Sequence, residues 1–140
     1  MVTNQEKGFL GFSKVQVASA VAILFHVIGL LGIFFNKNFF IQASSLNLLL
    51  MFLLIIYTHK DKNRSFCIFL LLAVVIGIVA EIIGTRTGFL FGTYEYGAAL
   101  GLSFFKVPLI IGINWFIVIY CCGVSINIIL NINTIVKVWF

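Results

Sequence analysis

Residues 65–115 read SFCIFLLLAVVIGIVAEIIGTRTGFLFGTYEYGAALGLSFFKVPLIIGINW, and the change of texture inside this stretch decides the fold. From Ser65 to Ile83 the chain is almost wholly apolar over a length that crosses a bilayer, about 20 residues at ~1.5 Å each. From Gly84 to Lys106 it turns to glycines, aromatics and a few charges, and from Val107 it is apolar again. Gly84, Gly88, Gly92, Gly97 and Gly101 recur where a helix would lose stability, so 84–106 is expected to be a loop rather than a fifth span. Irregular backbone at membrane depth is tolerated only when it is buried in protein or lines a cavity, which makes this a re-entrant or interfacial loop.

Working outward, three further runs meet the spanning criterion: Val15 to Phe35, about Phe39 to Tyr57, and Val107 to Leu130. The expected fold is all-α: a single domain over 1–140, a multi-pass membrane helical bundle of about four transmembrane helices with a Gly/aromatic-rich loop. Lys7 and Lys14 precede the first run as in a signal peptide, but that run ends in Phe-Phe-Asn without a small-residue cleavage pattern and is kept as the first span. Asn36-Lys37-Asn38 and the charged segment His59 to Arg64 are hairpin connectors, with His59 a solvated residue. Pro108 suits the first turn of the fourth helix.

Composition agrees. Of 140 residues 62% are hydrophobic and 9% charged, with mean hydropathy +1.19, which excludes an ordinary soluble domain. The net charge of +5 forms no dense basic patch, so nucleic acid is not an expected partner. It reads instead as topology: Lys7, Lys14, Lys60, Lys62, Arg64 and Lys137 fall on one side, Lys37, Arg86 and Lys106 on the other, which places both termini in the cytoplasm of a cell-membrane protein. Cys67, Cys121 and Cys122 lie inside apolar runs and read as buried small hydrophobes, with no disulfide framework or zinc spacing. Phosphate-loop, GxGxxG and GxSxG signatures are missing, and His26 and His59 have no ligand-spaced companions, so no metal and no cofactor are expected.

Ionisable residues inside a span are costly and rarely idle. Ala73, Gly77, Ala80, Glu81 and Gly84 share a helical face, as do Ala18, Ala22, His26 and Gly29, so Glu81 and His26 are expected to face protein. His26, Asn47 and Asn114 read first as interhelical hydrogen-bonding residues. The remaining constellation is Glu81, Arg86, Tyr94, Glu95, Tyr96 and Trp115. A plainer account makes Glu81 and Arg86 an interfacial ion pair, Glu95 a solvated loop residue and the three aromatics a headgroup belt.

The spacing Glu81-x-x-Gly84-x-x-Thr87-Gly88-x-x-Phe91-Gly92-x-Tyr94-x-Tyr96, followed by Leu100-Gly101, Val107-Pro108 and Trp115, resembles the integral-membrane carotenoid biosynthesis family. That family contains CruF-type carotenoid 1,2-hydratases and bisanhydrobacterioruberin hydratases. This chain has Ile82 where the family often has tryptophan, and it lacks the family's later Asp-x-x-x-Glu-Pro segment. It is therefore expected to be a shortened member, or to work with a second subunit or as a homo-oligomer.

The resemblance implies cofactor-independent addition of water to the terminal C=C of an acyclic carotenoid drawn from membrane lipid. Such chemistry needs a proton donor and a positioned water. The implied catalytic residues are Glu81 as acid, Glu95 as second acid or water-orienting group, and Arg86 as a group fixing a carboxylate. Burial would favour the neutral acid at Glu81, and a nearby Arg86 its carboxylate. The implied substrate-binding residues are Tyr94, Tyr96, Trp115, Phe91, His26 and Asn114, the tyrosines and tryptophan offering ring faces to a carbocation. The alternatives are a non-enzymatic carotenoid- or lipid-binding membrane subunit assisting another enzyme, and a small transporter using Glu81 and Arg86 as an ion relay.

Overall fold

A computed structural model describes residues 11–130, with side chains described up to residue 127. The fold is all-α, with four helices long and apolar enough to cross a membrane: α1 (Lys14–Phe35), α2 (Lys37–Thr58), α3 (Arg64–Thr87) and α4 (Leu109–Leu130). The chain forms two compact units that divide between Lys60 and Asp61. Lys7, Lys137 and the end at Phe140, on which part of the topology reading rests, lie outside the described residues.

The first unit is a pair of helices joined through a single residue. Ser13 opens α1 with a capping box, its hydroxyl accepting from Gln16 N while the Gln16 side chain accepts from Ser13 N. Asn36 ends α1 and starts α2, its side-chain oxygen accepting from Phe39 N at 3.2 Å. Gly32 makes the tight return possible, because a Cβ there would lie 2.1 Å from the Phe40 ring. His59, expected to be solvated, is buried at the end of α2.

The second unit carries α3, the segment after it and α4. Asn63 caps α3 by accepting from Phe66 N at 2.9 Å. The helix runs four residues past the expected end at Ile83 and stops at Gly88, whose φ of 66° is the left-handed conformation that glycine adopts without penalty. Gly84 is therefore a helical residue that lets Phe91 close over it, not a breaker. Residues 88–106 are loop interrupted by a 3₁₀ turn at Ala98–Leu100. The segment also holds a small antiparallel hairpin, β1 (Ser103–Phe104) with β2 (Val107–Pro108), which the sequence did not announce. Pro108 accordingly lies in β2, one residue before α4, rather than in the helix's first turn.

Val107, Pro108 and Phe116 are the most fully buried large side chains, so the hairpin is anchored where α3 and α4 meet. Close approach of the two helices depends on two glycines. A Cβ on Gly112 would lie 2.8 Å from Val74 Cγ1 and 3.1 Å from the Val74 carbonyl, and one on Gly77 would lie 2.5 Å from Trp115 Cβ. Elsewhere the helices expose Leu, Ile and Phe outward, as spans do when the surroundings are lipid. Cys67, Cys121 and Cys122 are free and exposed on these outer faces, not buried as expected. A lipid-facing surface accepts a small apolar thiol as readily as a core does.

The glycine contacts give a paired expectation. Gly77→Ala must push Trp115 away at its rigid Cβ and should destabilise the second unit by on the order of 1–3 kcal/mol. Gly29→Ala, where nothing lies within 4 Å of the added methyl, should be neutral or stabilising by up to about 1 kcal/mol. Thermal unfolding of both variants in detergent checks this, and equal midpoints would contradict the packing account.

Candidate functional site

Glu81 lies two turns before the end of α3 and is 7% exposed. A buried carboxylate in an apolar helix needs partners, and its own helix supplies none to the side chain. Three donors arrive from downstream. Tyr94 and Tyr96 both donate their hydroxyls to Oε2, the Tyr96 bond measuring 2.8 Å, and Trp115 Nε1 donates to Oε1 at 2.9 Å. A hydrogen bond contributes a net ~0.5–1.5 kcal/mol, and leaving a buried polar atom unpaired costs about 1–3 kcal/mol, so three donors offset much of the cost of burial.

Local structure explains how each donor arrives. Gly88 turns the chain back after α3, and Thr87 steadies that turn by donating to the Ile83 carbonyl at 2.7 Å and accepting from Phe89 N at 3.1 Å. Tyr94 and Tyr96, alternate residues of the returning chain, point the same way and are half-buried, with their rings edge-on at 5.4 Å. Glu95 between them necessarily points outward. On the far side Trp115 seats against Gly77, and Phe91 closes over Gly84 with its ring 6.3 Å from that of Trp115. Burial first, and then bonding to the Glu81 carboxyl group, pushes the Tyr94 and Tyr96 phenols above the ordinary tyrosine range.

The other candidates lie apart from this cluster. Arg86 makes no ion pair with Glu81; its guanidinium lies 4.6 Å over the Phe105 ring. Glu95 forms a loose pair with Lys106 at 3.9 Å, both side chains nearly fully exposed, a contact worth under about 1 kcal/mol. Arg86, Tyr94, Glu95, Tyr96, Phe105 and Lys106 all line one open cleft of about 790 Å³, which shares with the carboxyl group the two tyrosines bonded to it. His26 belongs to the first unit, is exposed, and shares a hydrogen with the Ala22 carbonyl of its own helix at 2.8 Å, not with a neighbouring helix. Asn114 is half-buried on α4 and makes none of the bonds to Glu81. Asn47, expected to bond between helices, has its buried Oδ1 without a partner.

Phe105 is the participant that sequence reasoning missed. It and Lys106 have φ of 49° and 67°, the backbone of a two-residue hairpin turn that favours Asn-Gly, and neither residue type signals such a turn. The only hint was Val-Pro immediately afterwards.

A family model described as carotenoid biosynthesis protein matches residues 41–139, from within α2 to near the end of the chain. No curated protein and no solved structure matches the chain.

Two measurements probe the cage. Trp115→Phe removes one donor and leaves Oε1 short of a partner, which should cost about 1–3 kcal/mol in unfolding experiments. Because folding raises the phenol pKa values, the stability held by Tyr94 and Tyr96 is complete below about pH 10, the unfolded tyrosine value, and is lost as pH rises through the folded values. Difference absorbance titration should show a phenol ionising above the usual range in the parent protein. The amplitude of that component should fall by one phenol in Tyr96→Phe, with Tyr94 still contributing.

Proposed function

The chain belongs to the carotenoid biosynthesis protein family, and from that membership we propose that it is a hydratase acting on the terminal C=C of an acyclic carotenoid. The observation that carries this reading is a buried carboxyl group held by three neutral donors and by no cation. Glu81 delivers its proton to the less substituted alkene carbon, and the π electrons form the new C–H bond. A tertiary carbocation and a carboxylate result. Trp115, Tyr94 and Tyr96 already aim at the oxygens on which that negative charge develops, so little reorganisation is needed during the step. A water oxygen then bonds to the cation, and its proton returns to Glu81. The sum is one water added, with the acid regenerated and no cofactor consumed.

The electrostatics suit a cationic intermediate. Arg86 is turned onto Phe105 and forms no ion pair with Glu81, so the carboxyl group is not tied to a guanidinium. Tyr94, Tyr96 and Trp115 bring their rings to the carboxyl group, with Phe91 beside Trp115, and a ring face toward a desolvated cation contributes on the order of 2 kcal/mol. The substrate reaches this site laterally from the lipid of the cell membrane. Both termini are cytoplasmic in this proposal, which puts the loop on the opposite side.

Expression in a lycopene-accumulating bacterium, with chromatography and mass spectrometry of the pigments, tests the proposal. The expected product is heavier by the mass of one water, and Glu81→Gln should lower its yield at least a hundredfold, since the amide keeps the shape but has no acidic proton. Pigment that co-purifies unchanged, with product appearing only when a second chain is added, would favour the non-enzymatic subunit instead.

A further inference from the structure

Hydration consumes one water per turnover, yet Glu81 sits in a span whose outer faces are apolar. We infer that the cleft between the end of α3, the Tyr94–Ala98 segment and the hairpin tip is the route by which water reaches Glu81, with Tyr94 and Tyr96 as its inner wall. The inference rests on the hydratase reading and assigns that site its water side.

Several independent features converge on this. The cleft is about 790 Å³, ample for several waters, and its lining includes Arg86, Glu95, Lys106 and the Ser103 hydroxyl. At its rim Glu95 and Lys106 have side chains 87% and 88% exposed, and two charges so placed belong in water rather than hydrocarbon. Tyr94 and Tyr96 line the cleft, and their hydroxyls also end on Glu81 Oε2. They are thus the groups between the open volume and the buried acid. Oε1 is closed off on its own side by Trp115, which is wedged against Gly77.

The two carboxyl oxygens therefore have different partners, Oε2 bonded to tyrosines that line the cleft and Oε1 to a tryptophan packed on α3. A water entering past the tyrosine hydroxyls has hydrogen-bonding partners along the way. It arrives beside the hydroxyls that already hold Oε2: the water oxygen bonds to the tertiary carbon, its proton passes to one tyrosine hydroxyl as that hydroxyl gives its own proton to Oε2, and Glu81 is again an acid. Tyr94 and Tyr96 thus position the water and relay its proton.

Thiol labelling tests the route without touching the cage. In a background with Cys67, Cys121 and Cys122 changed to Ser, Ala98→Cys places a thiol on the cleft lining, and Leu72→Cys places one on the exposed apolar face of α3. A membrane-impermeant trimethylammonium methanethiosulfonate should label the first to completion and leave the second unlabelled in vesicles open to both sides. Labelled Ala98→Cys protein should lose hydration at least tenfold while still retaining carotenoid by its visible absorption, and reduction with dithiothreitol should restore turnover. Failure of Ala98→Cys to react shows a dry cleft and overturns the route. So does full labelling with unchanged hydration. An unlabelled parent that forms no hydrated pigment overturns the hydratase reading and the route with it, a result told apart because the loss precedes labelling.

Discussion

A carboxyl group buried in an apolar helix is expensive unless its oxygens are hydrogen-bonded, and the second unit is arranged around meeting that demand for Glu81. The three donors lie 13, 15 and 34 residues downstream, so no local motif could provide them. Gly88 reverses the chain, the returning loop presents Tyr94 and Tyr96 on one side, and Gly77 admits Trp115 from α4. Gly77 is small because Trp115 occupies the space a Cβ would need, and Gly88 because its φ of 66° disfavours any side chain.

The same constraint separates the charges of the loop. Among the described residues Glu81 is bonded to neutral groups alone, while Arg86 rests on Phe105 and Glu95 meets Lys106 at the surface. Three of the four carboxylate- or cation-bearing side chains near the site thus border an open cleft, and only one is enclosed. Such a division is what a site needs if it is to handle an apolar molecule and water together.

Much of this was legible in the sequence. Span length and hydropathy located all four helices to within a few residues, and the cost of an ionisable group in a span singled out Glu81. Tyr94, Tyr96 and Trp115 were marked by their place in the glycine-rich island, although nothing in their spacing showed that all three polar tips meet one carboxyl group. Gly84 misled because glycine signals both helix termination and close packing, and only the position of Phe91 distinguishes them. The hairpin was hidden because Phe105 and Lys106 adopt positive φ without the residue types that usually do so. The exposed cysteines were misplaced because in a membrane protein apolar character does not say which surface is inside, and His59 because the charged residues that follow it in sequence gave no sign of its burial at the end of α2.

The long separation between Glu81 and Trp115 also bears on how the protein is made. When α3 leaves the ribosome its acid has no partner to meet, since every donor is encoded later and the last lies in α4. The third span thus carries a carboxyl group whose hydrogen-bond partners are all supplied by residues made after it, the last of them by the fourth span.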